Sequence, residues 1–148
     1  MQINLIIKSQ KSEEIGFGEL SCTDAYNEQE KGCIKNIEFF MDTVDDNVTK
    51  KNDAMLAKIK VTGIISKETN SRVQQLFRWS IDNSDSIYRD ITVILSDNKV
   101  ALRTYEFKNM FVVDYKENIV NDGNNGDEST FEMCLTQERN HLGSIDTY

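Results

Sequence analysis

Apolar and polar positions change period several times along the chain, and those changes divide it into elements. Ile3 to Lys8, within Met1-Gln2-Ile3-Asn4-Leu5-Ile6-Ile7-Lys8, is a short apolar run that reads as a strand. Gly16-Phe17-Gly18-Glu19-Leu20 and Cys22 carry a second, weaker strand pattern, and Asp24 to Gly32 is polar and turn-like. Ile34, Ile37, Phe39 and Met41 lie in a strand-like run that ends at the acidic stretch Asp42 to Asp46. Val48 to Asp53 reads as a surface loop, and Leu56 to Ile65, with Ile59, Val61 and Gly63-Ile64-Ile65, as another strand.

The period then becomes helical. Val73, Leu76, Phe77 and Ile81 fall on one face, with Arg72, Gln74, Gln75 and Arg78 opposite. Thr69-Asn70-Ser71 supplies N-cap candidates, Ser71 followed by Gln74 fits a capping box, and Asn83-Ser84-Asp85 ends the helix. From Tyr88 the period is two: Ile91, Val93 and Leu95 alternate with Thr92 and Ile94, and Ser96-Asp97-Asn98-Lys99 is a hairpin turn. The longest stripe follows. It predicts Tyr105, Phe107, Phe111, Val113 and Tyr115 on the core face, interrupted only by Asn109. Glu106, Lys108, Met110, Val112, Asp114 and Lys116 are expected on the other face. Asn121 to Asp127 reads as a loop, Phe131, Met133 and Leu135 as a returning strand, and residues 139–148 as a tail of little periodicity. The sum is one mainly β, mostly antiparallel domain over residues 1–148 with a single short helix.

Composition narrows the function classes. The chain has 148 residues, 39% hydrophobic and 28% charged, which is globular rather than disordered. Lys plus Arg is 17 against 25 Asp plus Glu, a net charge of -8, so no cationic surplus exists to replace phosphate counterions and no nucleic-acid partner is expected. No stretch approaches the roughly 20 apolar residues of a membrane span. The apolar run at the start is too short for a signal-peptide core and no basic region precedes it, so synthesis in the cytosol is expected. Cys22, Cys33 and Cys134 have no paired spacing, and with His141 the only histidine they are expected to be ordinary thiols rather than zinc ligands.

Candidate chemistry is sparse. His141 lies in the tail, Gly16-Phe17-Gly18 lacks the spacing of a phosphate loop, and Asp42, Asp45 and Asp46 lack the glycine and distal glutamate of a calcium loop. Phe77, Trp79, Tyr105 and Phe107 fit either a ligand-binding aromatic set or a core, and their periodic positions favour the core. The expectation is therefore no enzyme, no cofactor and no metal. One feature points elsewhere: there is no proline anywhere in the chain. Long strands without proline leave edges open to pairing, a liability in a monomer and an interface in an oligomer.

The element order and the stretch Tyr105-Glu106-Phe107-Lys108-Asn109-Met110-Phe111-Val112-Val113-Asp114-Tyr115-Lys116-Glu117 resemble the tail-tube family of contractile injection systems. That family includes the haemolysin-coregulated protein (Hcp) of type VI secretion and the tube proteins of phage tails and tailocins. Phe107, Asn109, Val112, Tyr115 and Glu117 stand at the places of its aromatic-rich strand, and Phe131-Glu132-Met133-Cys134-Leu135-Thr136 at its closing strand. The similarity covers about residues 56–138; Phe39-Phe40 stands where the family places a Trp-containing strand. The resemblance implies a β-barrel of two packed antiparallel sheets with the helix on its side. It also implies six copies in a ring, rings stacked into a tube, and sheath, baseplate and spike proteins as partners. The loop expected to reach a neighbouring subunit is 42–53, with Asp45, Asp46, Asn47, Val48, Thr49, Lys50, Lys51, Asn52 and Asp53 as its contact residues. The competing reading is a monomeric β-barrel that binds a ligand or peptide.

Overall fold

The computed structural model describes residues 1–11, 13–20, 33–43, 55–84, 87–122, 127–137 and 145–148. Within these residues eight strands and one helix follow in the order β1 (Gln2–Ser9), β2 (Glu14–Phe17), β3 (Ile34–Thr43), β4 (Met55–Ile64), α1 (Asn70–Ser80), β5 (Arg89–Asp97), β6 (Val100–Asn118), β7 (Thr130–Gln137) and β8 (Ile145–Thr147). The mainly β, antiparallel architecture matches the expectation. Residues 145–147 depart from it, because they form a strand within what reads as tail.

The strands make one ladder, ordered β2-β1-β5-β6-β7-β4-β3, with β8 also on β6. Among the described residues it is not closed into a barrel, and β2 and β3 are its ends. Two separate packed sheets are not formed either, since β6 belongs to both halves of the ladder. Its first half pairs with β5 from Val100 to Met110, and its second half pairs with β7 from Met110 to Asn118. The two halves face each other across the core. Leu5, Ile7, Ile15, Phe17, Ile91, Val93 and Phe107 come from one side, and Ala57, Ile59, Val61, Phe131, Met133 and Leu135 from the other. Phe17 and Phe131 meet across the middle at 5.9 Å, and Phe39 of β3 stacks on Tyr105 and Phe107 at 4.5 and 5.6 Å.

Bulges in β6 let one strand serve both halves. Asp90 opposes two residues, Lys108 and Asn109; Leu102 is an extra residue between Arg103 and Ala101, and Val113 another between Val112 and Asp114. Each extra residue bends the strand and shifts which side chains face inward. Asn109 takes φ 56°, a left-handed conformation that asparagine tolerates better than most residues. The freed backbone is caught by side chains. Asn109 N–H donates to Asp90 Oδ1 (3.1 Å), and Gln137 Nε2 donates to the Lys108 carbonyl (3.2 Å).

The phase shift corrects the predicted stripe. Tyr105 and Phe107 face inward as expected, but beyond Asn109 the inward residues are Met110, Val112 and, after the second slip, Tyr115. Val113, expected in the core, is 49% exposed, and Met110, expected outside, is fully buried.

The helix is also rotated from its predicted face. Arg72, Val73, Leu76 and Trp79 are buried, while Phe77 and Ile81 are 46% and 67% exposed. Arg72 turns inward because the chain supplies partners: Nη1 donates to the Gly16 carbonyl (2.8 Å), Nη2 to the Glu68 carbonyl (3.0 Å), and the guanidinium lies over the Phe17 ring at 5.2 Å. Trp79 is admitted because its Nε1–H reaches the Ile87 carbonyl at 2.7 Å. The Ser71–Gln74 capping box does not form. Thr69 is the N-cap, and its hydroxyl donates to the Ile64 carbonyl and accepts from Ser66 N–H, fastening the helix start to β4.

The hairpin turn falls where expected. Asn98 and Lys99 both have positive φ between the paired Asp97 and Val100, which is a two-residue type I′ turn.

Asn109→Val places a β-branched residue in a left-handed conformation and is expected to lower stability by about 1–2 kcal/mol, whereas Asn109→Gly stays near neutral. Urea denaturation midpoints of the two variants check this; equal losses would mean that the bulge does not hold that conformation in solution.

Candidate assembly interface

Four consecutive strands of the ladder, β3, β4, β7 and the second half of β6, form a segment with two unpaired flanks. Among the described residues β3 pairs only with β4. On the other flank β5 stops pairing at Met110, so β6 from Phe111 to Asn118 has β7 on one side and no strand among the described residues on the other. Aromatic contacts stand along that second flank. Tyr88 meets Phe111 edge-on at 5.8 Å, and Phe77 of α1 meets Tyr115 at 5.9 Å.

The face of this segment turned away from the core is polar and charge-balanced. Alternation that sends Ile59, Val61, Met133 and Leu135 inward sends Lys58, Lys60, Thr62, Glu132, Cys134 and Thr136 outward. Glu38, Asp114 and Lys116 join them from β3 and β6, so Lys58, Lys60 and Lys116 stand among Glu38, Asp114 and Glu132. Lys60 Nζ and Glu132 Oε1 are 2.8 Å apart. Their hydrogen bond, with the mutual attraction, raises the Lys60 pKa and lowers that of Glu132. Both are open to solvent, so the pair sets local charge pattern more than stability.

A shallow groove of about 380 Å³ crosses the face, with Phe40, Val113, Cys134 and Thr136 among its lining. The Cys134 thiol is pushed up in pKa by burial first and then by Asp114 and Glu132, so it stays protonated and a poor nucleophile near neutral pH. Among the described residues no three or more His, Cys, Asp or Glu side chains gather as metal ligands, and no helix is long and apolar enough to cross a membrane.

The family-motif residues come together at the bend of β6. Phe107 is in the core, Asn109 is the bulge, Val112 and Tyr115 pack against the core, and Glu117 accepts a hydrogen bond from the Tyr115 hydroxyl at 2.8 Å. The spacing of Phe107, Val112 and Tyr115 is not that of a regular strand. All three nevertheless face inward, because one bulge lies in each interval. Of the expected inter-subunit loop, Asp42 and Thr43 belong to β3, while Asp45, Asp46, Asn47, Val48, Thr49, Lys50, Lys51, Asn52 and Asp53 lie outside the described residues, as does His141.

Sequence reasoning passed over a polar knot behind β1. Asn4 is fully buried; its Nδ2 donates to the Ile94 carbonyl and to Ser96 Oγ, and its Oδ1 accepts from Leu20 N–H, all at 2.9 Å. Ser96 Oγ donates to Glu19 Oε1, which also takes Lys99 N–H in the hairpin turn. Gly18, at φ 101°, lets this turn close, since a Cβ there would sit 2.6 Å from Asn4 Oδ1. The available signal was a lone asparagine inside an apolar strand.

No protein-family model and no curated protein sequence matches the chain. Solved structures do. An Hcp1 protein from the E. coli EAEC 042 pathovar shares 11% identity over 100% of this chain and 98% of that one, with a TM-score of 0.61. Hcp1 from Flavobacterium johnsoniae shares 15% over 90% and 89%, with a TM-score of 0.52. A chain of the PVC extracellular contractile injection system sheath–tube complex, in its extended state, shares 18% over 97% and 87%, with a TM-score of 0.51. The fold is thus of a class shared by components of contractile injection systems. More narrowly, it is an Hcp-like fold.

Burial, and then the bond to Glu117, raises the Tyr115 phenol well above its ordinary value. The folded chain therefore holds that proton more tightly than the unfolded chain, and the associated stability is complete below the ordinary phenol pKa of about 10 and is lost as pH rises above it. The denaturation midpoint should fall above that pH, and fall less steeply in Tyr115→Phe, in which Tyr148 still titrates. Identical slopes would show that Tyr115 is not packed in solution.

Proposed function

We propose that the chain is a structural tube subunit of a contractile injection system, assembling as six-membered rings that stack. The observation that carries this reading is the four-stranded segment whose two outer flanks have no strand partner among the described residues. Joining β3 of one copy to the second half of β6 of the next satisfies both flanks, and repetition around a ring leaves neither of them exposed. Six copies then contribute 24 strands to one closed, barrel-like wall. At about 4.8 Å between strands its diameter is roughly 37 Å before strand tilt widens it.

On this reading the balanced charged face lines the lumen and the curled, filled half of each subunit lies outside with α1. A lining of interspersed Lys, Asp and Glu holds water, and Phe40 and Val113 are exposed apolar points on it. The likeness to Hcp1 proteins and to a PVC sheath–tube chain supports the reading, and from it we take sheath, baseplate and spike proteins as the partners. The segment Asp45 to Asp53 follows β3 in the chain and is assigned to contact between subunits or between rings. Nothing in the reading calls for a catalytic group or a cofactor.

Mass determination in solution followed by negative-stain imaging tests the assembly. Rings or tubes with a pore near the diameter above are expected. A clean monomer at every concentration would sink the reading and favour a monomeric module that uses the Phe40–Val113 groove. Shortening Asp45 to Asp53 should weaken ring formation or stacking while the circular dichroism spectrum stays that of a β protein. Loss of that spectrum would place the segment in the fold rather than at the interface.

A further inference from the structure

Each flank of the four-stranded segment carries charge at a definite height. Through Lys60 and Cys134, Glu38 of β3 stands level with Asp114 of β6; through Thr62 and Glu132, Asn36 stands level with Lys116. Glu38, Asp114 and Lys116 are all exposed. Strand direction alternates from β3 through β4 and β7 to β6, so β3 of a next copy meets β6 antiparallel.

The pleat restricts how the two flanks can join. On β4 the Ile64 N–H donates to the Cys33 carbonyl beside β3, and the Ile65 N–H to the Ser129 carbonyl beside β7. Carried along the paired strands, that alternation points the backbone groups of Glu38, Asp114 and Lys116 into the segment. Those of Ile37, Phe39, Tyr115 and Glu117 point out of it. A join offset by an odd number of residues would set core-facing side chains against outward ones and free backbone groups against paired ones. Only even steps remain.

Closure and charge choose among them. Seen from the core side with β4 running upward, β7 lies to its right, because Val61 faces the viewer and, like Ile65, turns its backbone groups toward β7. Right-handed strand twist tilts a closed wall so that a path across the strands, followed to the right from outside, returns lower. β3 runs downward in that view, so Asp114 must meet a residue beyond Glu38. A step of zero fails there, and it also sets Asp114 against Glu38, like charges directly opposite. A step of two sets Lys116 against Glu38 and Asp114 against Phe40. Glu132, Lys116, Glu38 and Lys60 then form one row of alternating sign across the joint. A step of four sets Lys116 against Phe40 and Glu38 against Asn118, which pairs neither charge.

We propose that the second half of β6 receives β3 of the next copy at the step of two, with Lys116 opposite Glu38. The interaction surface is the edge from Asp114 to Asn118, and its partner is the edge from Asn36 to Phe40 of a second copy of this chain. This register rests on the ring reading and specifies each joint within it.

Within one copy Glu38 and Lys116 are three strand spacings apart, about 14 Å, whereas a disulfide needs Cα atoms within about 7 Å. A link between the two positions therefore joins copies. The full-length chain without its native thiols (Cys22→Ser, Cys33→Ala, Cys134→Ser) is given Glu38→Cys together with Asp114→Cys, Lys116→Cys or Asn118→Cys. Each variant is imaged for rings, oxidised and run on a denaturing non-reducing gel. The Lys116→Cys variant is expected to give a ladder of linked chains ending at six, several-fold stronger than the other two. Rings that link best through Asp114→Cys or Asn118→Cys, or through none, overturn the register and leave the ring reading standing. Absence of rings from the unsubstituted chain overturns both. If only the thiol-free chain fails to form rings, carbodiimide coupling of unsubstituted rings decides: a Lys116–Glu38 amide supports the register, and its absence beside a Lys60–Glu132 amide overturns it.

Discussion

The geometry of β6 governs the rest of the molecule. A straight strand of its 19 residues would run roughly 60 Å, whereas a compact chain of this length is roughly 40 Å across. The strand therefore has to bend, and a ladder bends cheaply only where an extra residue breaks its register. Three such residues sit on β6 and none on its partners at those places. Once β6 turns at Lys108 and Asn109, its two halves carry the two halves of the sheet to opposite sides of one core. The aromatic layer of Phe17, Phe39, Phe107 and Phe131 then has walls on both sides. The same bend takes the second half of β6 away from β5, and so creates the flank on which the assembly reading rests.

That geometry also explains what was legible in the sequence. The periodic signals located β1, β3, β4, α1, β5, β6 and β7 and the turn at Asn98-Lys99, because each depends on local alternation and turn chemistry. Side-chain direction past Asn109 was not legible from alternation, since one inserted residue inverts every later position while leaving composition unchanged. Asn109 itself was the available clue: a polar residue that tolerates left-handed backbone, breaking an aromatic stripe. The family motif held the answer in another form. Its irregular spacing from Phe107 through Val112 to Tyr115 makes no sense for a straight strand and follows at once from a strand with a bulge in each interval.

The helix shows the opposite failure, in which a polar partner outweighs hydrophobicity. Phe77 and Ile81 scored as core because they are large and apolar, and Arg72 as surface because it is charged. The carbonyls of Gly16 and Glu68 and the ring of Phe17 give the Arg72 guanidinium a satisfied place inside, and Trp79 fills the volume beside it. A buried charge of this kind is tolerated only when hydrogen-bonded, and its partners come from β2 and from the turn before α1. Those partners are 56 and 4 residues away from Arg72, and no window of sequence contains both. Asn4 follows the same rule, with acceptors on β5 and a donor at Leu20.

The candidate interface was legible only as an absence and a balance: no proline, and mixed charges along β4, β6 and β7. Those features acquire meaning from topology. A chain avoiding random edge-to-edge association usually places lysine, a bulge or a proline on each exposed edge. Here the flank on β6 keeps a bulge at Val113 and a lysine at Lys116, and the flank on β3 carries Lys35 with Glu38. Such edges reject indiscriminate pairing but accept a partner whose pleat and charges fit. Net charge works in the same direction. At -8 the free subunits repel one another, yet the described outward face of the four-stranded segment balances three lysines against three acids. Local neutrality on a globally acidic molecule lowers the electrostatic cost of bringing copies together at that segment relative to the rest of the surface. The edges thus supply the pairing groups, the bulge and charges restrict who pairs, and the charge distribution favours the orientation in which these segments meet.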